Sequence, residues 1–391
     1  MESNQQFETQ AIRAQIERSQ YKEHSAPIYL TSSFIFDTAE EMRDAFNDQN
    51  DAFIYSRYSN PNVNEFVNKV CLLEGGEAGV AYGSGMAAIY TTFMALLKSG
   101  DHIVSCSSVF GATHTLLTKY FIKINITHSY FSYDNPDSVE NLIKPETRFI
   151  YIETPTNPAI NLLDLKHIAQ IAKRNNVLLI VDNCFASPYL QQPIKFGADL
   201  VIHSATKYMD GQGRVLGGVV VGKKALINEI YLFGRITGPS LSPYNAWTLS
   251  KSLETLSIRM ERHSQSALYV ATALEKETEI ENVSYPFLAS HPQYQLAKKQ
   301  MRLGGGILTI TLKDYEAAKQ FMNNLKMIKI SPNLGDVRSI ATHPASSTHC
   351  KLTEEERLSV GIAPSLVRLS IGLENADDIL NDILQALKSK S

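Results

Sequence analysis

Apolar and polar positions alternate along the middle of the chain with two periods. Short runs rich in β-branched residues predict buried strands: "AGVAY" from Ala78, "HIVSC" from His102, "RFIYIET" from Arg148, "VLLIVDN" from Val177, "ADLVIHS" from Ala198 and "VLGGVVVG" from Val215. Between them, "GMAAIYTTFMALLKS" from Gly85 and "LLDLKHIAQIAKRNN" from Leu162 carry apolar residues at helical spacing with a polar far side. Strands alternating with helices predict an α/β class with a mostly parallel sheet and helices on both faces. Residues 1–61 are polar and irregular and read as an arm. A large domain is expected over 62–247. One long helical pattern from Ala246 to Glu277 leads into 248–391, where "GGILTITL", "SLVRLSIGL" and the helix "DDILNDILQALKS" predict a smaller α+β domain.

Composition narrows the class only a little. A length of 391 residues exceeds one compact core, so at least two domains are expected. The formal charge of -3 gives no electrostatic ground for a nucleic-acid or anionic-membrane partner. No apolar run approaches the roughly 20 residues that span a bilayer. The polar start "MESNQQFETQ" has no signal-peptide pattern. Cys71, Cys106, Cys184 and Cys350 are scattered without a CxxC pair, which predicts reduced thiols and no metal centre. A cytoplasmic location follows as the expectation.

The candidate chemistry lies at strand ends. In an open α/β sheet, ligands sit beyond the carboxyl ends of the strands. Asp182 ends one predicted strand, and Ser204, Thr206 and Lys207 follow another. "ETPTNP", with Asn157, ends a third, and "GSGM" (Gly83 to Met86) joins a strand to a helix. A lone lysine after a strand is usually a solvated surface residue, and a lone GSG is usually a turn. Together they supply what pyridoxal phosphate needs: an amine for a Schiff base, a carboxylate for the pyridine nitrogen, and hydroxyl and N–H donors for a phosphate.

With these residues in view, the chain closely resembles the Cys/Met-metabolism (trans-sulfuration) family of pyridoxal-phosphate enzymes. The resemblance rests on "YSRYSNPN" at 55–62, "YGSGMAAI" at 82–89, "ETPTNP" at 153–158, "VDN" at 181–183, "HSATKY" at 203–208, "SLETLSIRM" at 252–260, "SHPQYQLAKKQM" at 290–301 and "HPASSTH" at 343–349. It implies the aspartate-aminotransferase-like fold (fold type I) with a seven-stranded sheet. It also implies pyridoxal 5'-phosphate as cofactor, with Lys207 as the Schiff-base lysine. Asp182 would pair with the pyridine nitrogen and Asn157 with the ring hydroxyl. Ser204, Thr206 and the N–H groups of Gly85 and Met86 would hold the phosphate. Tyr55 and Arg57 would reach that phosphate from a neighbouring subunit, in a homotetramer built as a dimer of dimers. Ser339 and Arg368 would bind the substrate's α-carboxylate.

Departures from the family pattern bear on the substrate. Phe110, in "SVFGATHTLL", stands where many relatives have a tyrosine stacked on the cofactor; it can stack but has no proton to transfer. Ala112 stands where some methionine lyases have a cysteine. Arg338, in "GDVRS", is matched to the position where cystathionine enzymes commonly carry a glutamate; it is expected to face the substrate cleft, the alternative being a loop arginine paired with Asp336 or pointing to solvent. "DGQGRVLGG" replaces their "NGHSD" type of continuation. These departures resemble the O-succinylhomoserine sulfhydrylase branch. The resemblance thus implies γ-replacement on an O-acylhomoserine, with sulfide giving homocysteine in methionine biosynthesis. A cystathionine γ-synthase, or a methionine or cystathionine γ-lyase, is the alternative.

Overall fold

The computed structural model describes residues 5–350 and 353–389. Seven strands, β1 (Ala78–Tyr82), β2 (His102–Cys106), β3 (Thr127–Phe131), β4 (Thr147–Glu153), β5 (Leu178–Asp182), β6 (Leu200–Ser204) and β7 (Gly218–Gly222), form one sheet in the order β1-β7-β6-β5-β4-β2-β3. The pairs among β3, β2, β4, β5 and β6 are parallel, and β7 runs antiparallel to both of its neighbours. The central strands are buried along nearly their whole length, as the continuous apolar runs require. The strand that the hydrophobic pattern misses is β3. Its sequence, THSYF, is half polar because it is an edge strand and mostly half-buried.

The helices begin where their caps allow. Ser84 is extended, and its hydroxyl accepts the N–H of Ala87, which starts the helix Gly85–Leu96. Asp164 does the same for Leu165–Arg174 through the N–H of His167. The long helical pattern from Ala246 is two helices, Pro243–Leu253 and Leu256–Leu274. The break falls at Glu254 and Thr255. There the Thr255 hydroxyl donates to the carbonyl of Ser252 and accepts from the Arg259 guanidinium, in competition with the helical ladder.

A second sheet of five strands, β8 (Ile280–Ser284), β9 (Ile307–Leu312), β10 (Lys329–Ile330), β11 (Ile340–Thr342) and β12 (Leu366–Ser370), has the order β10-β11-β12-β9-β8. It forms a smaller C-terminal domain with its own core, in which Leu308, Ile310, Val367 and Leu369 pack with Ile379 and Ile383 of the helix Ala376–Lys388. At the other end of the chain, between the helices Phe7–Arg13 and Ala39–Phe46, a bridge of Ser33 with Tyr55 interrupts an otherwise irregular path. Leu30 and Ile35 on that path are 70% and 96% exposed. Among the described residues, no helix is long and apolar enough to cross a membrane.

Candidate active site

The carboxyl ends of β4, β5 and β6 open into a cavity of about 490 Å³. The sheet contributes Glu153, Asp182 and Ser204 to its lining, the helix Gly85–Leu96 contributes its first turn, and the second sheet contributes Arg368 and the loop Pro332, Asn333 and Leu334. Phe110, Asn157, Thr206 and Lys207 complete the polar and aromatic part, while Met86, Ile89, Leu216 and Leu334 give it apolar walls. One cavity therefore gathers nine of the thirteen candidate site residues: Gly85, Met86, Phe110, Asn157, Asp182, Ser204, Thr206, Lys207 and Arg368.

Lys207 leaves β6 on a tight turn. Its N–H donates to the carbonyl of Ser204, and its carbonyl accepts the N–H of Gly211. Gly211 has φ +71, and a Cβ there would lie 2.1 Å from the Arg259 guanidinium, which in turn holds the carbonyl of Tyr208 at 2.6 Å. The turn is thereby pinned to the helix Leu256–Leu274. At the other end of the side chain, the Lys207 amine donates to Asn333 Oδ1 at 3.0 Å.

Asp182 and Glu153 are neighbours in the parallel register of β4 and β5, and both are buried. Asp182 accepts the N–H of Cys184 at 3.0 Å and the hydroxyl of Tyr151 at 3.2 Å. Burial raises its pKa, opposed by the Cys184 N–H, His203, the Tyr151 hydroxyl and Lys207. Glu153 is held well above the usual carboxylate range by burial and then by Asp182; the N–H groups of Phe110 and Asn157 and the Arg368 charge oppose this. Of the pair, Asp182 is the better compensated, and Glu153 is raised the further.

The opening of the helix Gly85–Leu96 faces the same space. Its first N–H groups have no partner within the helix. A Cβ on Gly85 would lie 2.7 Å from the Ser204 side chain, so only glycine lets the helix start approach β6 this closely. Thr206 accepts the N–H of Gly217 at 3.2 Å. An anion-sized cradle of free N–H groups and two hydroxyls results, with the amine and a buried carboxylate beyond it. These donors fit pyridoxal phosphate.

Arg368 is 1% exposed. Its Nη1 donates to Asn157 Oδ1 at 2.9 Å, and its Nη2 to the carbonyl of Asn333 at 2.8 Å and to the hydroxyl of Thr342 at 3.1 Å. Nε is buried without a hydrogen-bond partner among the described residues. Burial lowers its pKa to about 10, which leaves it a cation at neutral pH.

Two of the expected substrate-binding residues lie outside the cavity lining. Arg338 does not line the cavity: Asp336 chelates it at 2.8 and 3.0 Å, the carbonyl of Gln212 takes a third bond at 2.8 Å, and its side chain is 67% exposed. Ser339 does not line it either, because Glu374 accepts both its N–H, at 2.7 Å, and its hydroxyl, at 2.9 Å. The part of this loop that reaches the cavity is Pro332 to Leu334, six residues earlier. Tyr55 and Arg57 also lie outside their own chain's cavity. The Arg57 guanidinium sits 4.7 Å over the Tyr58 ring and donates to the carbonyl of Arg235, and Tyr55 is 41% exposed. Asn333, Glu153 and Cys184 are cavity residues that sequence reasoning missed. Glu153 carried the same signal as Asp182, a carboxylate closing an apolar run, whereas Asn333 carried none.

Known proteins share this architecture. The chain matches the family described as "Cys/Met metabolism PLP-dependent enzyme" over residues 8–388. It is 44% identical over 382 residues to an O-succinylhomoserine sulfhydrylase of Pseudomonas aeruginosa, covering 97% of this chain and 95% of the relative. It is 42% identical over 384 residues to an L-methionine gamma-lyase of Fusobacterium nucleatum, covering 97% of each. A crystal structure of a putative O-acetylhomoserine (thiol)-lyase from Campylobacter jejuni, which contains N'-pyridoxyl-lysine-5'-monophosphate, superposes with a TM-score of 0.95 at 35% identity. That match covers 98% of this chain and all of the other.

Proposed function

The chain belongs to the Cys/Met metabolism family of PLP-dependent enzymes, and we propose that it performs γ-replacement on an O-acylhomoserine. The succinyl ester is the foremost substrate, and sulfide gives homocysteine, a step of methionine biosynthesis. When bound, the cofactor supplies a carbonyl for Schiff-base chemistry and a cationic ring that takes up electrons. Asp182 keeps the ring nitrogen protonated, and Asn157 meets the ring hydroxyl. Gly85, Met86, Ser204 and Thr206 hold the phosphate. Arg368 grips the α-carboxylate of the amino acid, since its buried charge is held by neutral oxygens. The Lys207 amine takes the proton from Cα and moves protons at Cβ. The acyl carboxylate leaves from Cγ, and hydrosulfide adds there.

The observation that carries the ester reading is Phe110 in the cavity wall. A carboxylate leaves with a conjugate-acid pKa of about 4.3 and needs no proton, whereas a thiolate, at about 8.5, calls for a general acid. Phe110 supplies none. A γ-lyase is the second reading. In its favour, the same cavity contains Glu153, whose pKa burial and Asp182 raise, and γ-lyase relatives are similar to this chain to nearly the same degree. Arg338 has no part in the choice, being held by Asp336. We place Tyr55 and Arg57 in the cavity of a second copy, within a dimer of dimers. Their position outside their own cavity and the exposed Leu30 and Ile35 of the arm support that placement.

The test is an assay of purified protein with O-succinyl- and O-acetylhomoserine, each with sulfide or cysteine, and with methionine alone. Homocysteine formed fastest from the succinyl ester and sulfide is the expected result. Cystathionine from cysteine at an equal rate, or methanethiol from methionine as the main product, overturns it.

A further inference from the structure

Glu153 is a buried carboxyl that the ester reading does not use. It closes β4 at 3% exposure, beside Asp182. An apolar side chain would fill so dry a strand end at lower desolvation cost. What the carboxyl adds is an acceptor: Oε2 takes the N–H of Phe110 at 2.8 Å. Phe110 is the residue before the short helix Gly111–Thr115 and makes no side-chain cap of its own. On the far side, a Cβ on Gly111 would lie 3.2 Å from the carbonyl of Thr348, so that loop limits the backbone there too. The Phe110 ring thus enters the cavity from a backbone fixed on one side by Glu153 and on the other by the Thr348 loop.

We propose that Glu153 is a positioning residue: by holding the Phe110 N–H, it sets the aromatic ring against the bound cofactor. This rests on the cofactor placement given above. Burial and Asp182 hold the Glu153 pKa up, against the N–H groups of Phe110 and Asn157 and the Arg368 charge. The role asks only for an oxygen acceptor at Oε2, which a glutamine amide also supplies.

Two near-isosteric variants separate the acceptor oxygen from the rest of the carboxyl. Glu153→Gln keeps a carbonyl oxygen, and Glu153→Met keeps only the volume. Each is loaded with pyridoxal phosphate, and cofactor retention and the visible circular dichroism of the bound cofactor are recorded, with the thermal midpoint as the check on folding. Glu153→Gln should match wild type within about twofold, and Glu153→Met, which leaves the buried Phe110 N–H without its acceptor, should weaken retention by about tenfold and shrink the dichroic band. In a Phe110→Leu background, Glu153→Met should add no further change to the band. Glu153→Gln as defective as Glu153→Met would overturn the proposal, since an acceptor oxygen would then not suffice. So would additive effects of Glu153→Met and Phe110→Leu, or a Glu153→Met chain that does not fold, which would make the role purely structural. Wild type that retains no pyridoxal phosphate would instead sink the cofactor placement itself.

Discussion

Two arginines of the second sheet and its loop sit within one stretch of fold and differ in every respect that matters for binding an anion. Arg368 is buried on β12, and its partners there are an amide oxygen, two backbone carbonyls and a hydroxyl. Arg338 is largely exposed and already grips the carboxylate of Asp336 with two bonds. Neutral oxygens orient a guanidinium without cancelling its charge, so Arg368 still has a full charge to offer a substrate carboxylate. A carboxylate partner offsets the charge and occupies Nε and Nη2, so Arg338 has less to offer an anion. Sign and proximity do not make a binding arginine; the nature of its resident partners does.

The largest expected effect follows from Arg368. Removing a charged hydrogen-bond donor that is free for substrate costs about 1.5–3 kcal/mol per bond, so Arg368→Ala should lower kcat/KM for O-succinylhomoserine by about 100-fold or more. Arg368→Lys should recover only part, because an ammonium cannot donate two parallel bonds. A loss below tenfold in Arg368→Ala would end the contrast.

Next comes the boundary between copies. Arg57→Ala should lose cofactor, and Lys207→Ala should lose turnover. A dissociated and reassembled mixture of the two should regain activity that neither has, because one hybrid cavity then holds both intact groups. Demonstrated hybrids without activity would rule out shared cavities.

A smaller effect reads the Arg368 charge through its neighbour His349. Burial, and after it the charges of Arg368, His114 and Arg357, lower the His349 pKa to about 4. Its folded value lies below the unfolded value of about 6.5, so the unfolded chain takes the proton first as pH falls. Stability linked to this group is present above pH about 6.5 and is lost on descending to about 4. The thermal midpoint of wild type should therefore fall more between pH 7 and pH 5 than that of His349→Gln. Parallel falls would show that His349 does not report the charge. The smallest effect is Arg338→Ala, which should leave kcat/KM for both acyl esters and for sulfide against cysteine within about twofold, as expected of an exposed pair. A changed preference would return Arg338 to the cleft.

The same contrast explains what could be read from the chain in advance. Asp182, Ser204, Thr206 and Lys207 lie at or just past the ends of strands written as continuous apolar runs, and a regular sheet fixes where such ends go. Their gathering into one cavity was therefore legible. Arg338 and Ser339 lie in an irregular loop, where the captured partner decides direction: Asp336, close in sequence, and Gln212 hold Arg338, and Glu374, far along the chain, holds Ser339. Periodicity says nothing about which oxygen captures a loop side chain, so Asn333 rather than Ser339 reaches the cavity without a sequence signal. β3 was missed for a related reason, since an edge strand can carry His128 and Tyr130 and so breaks the apolar run.

The central claim is that the cavity around Lys207 holds the cofactor. Borohydride reduction of the loaded protein, followed by peptide mapping, tests it directly. The account predicts the pyridoxyl label on Lys207 and no label in Lys207→Ala. A label on any other lysine, including Lys69, which is buried between Glu65 and Glu254, would contradict it.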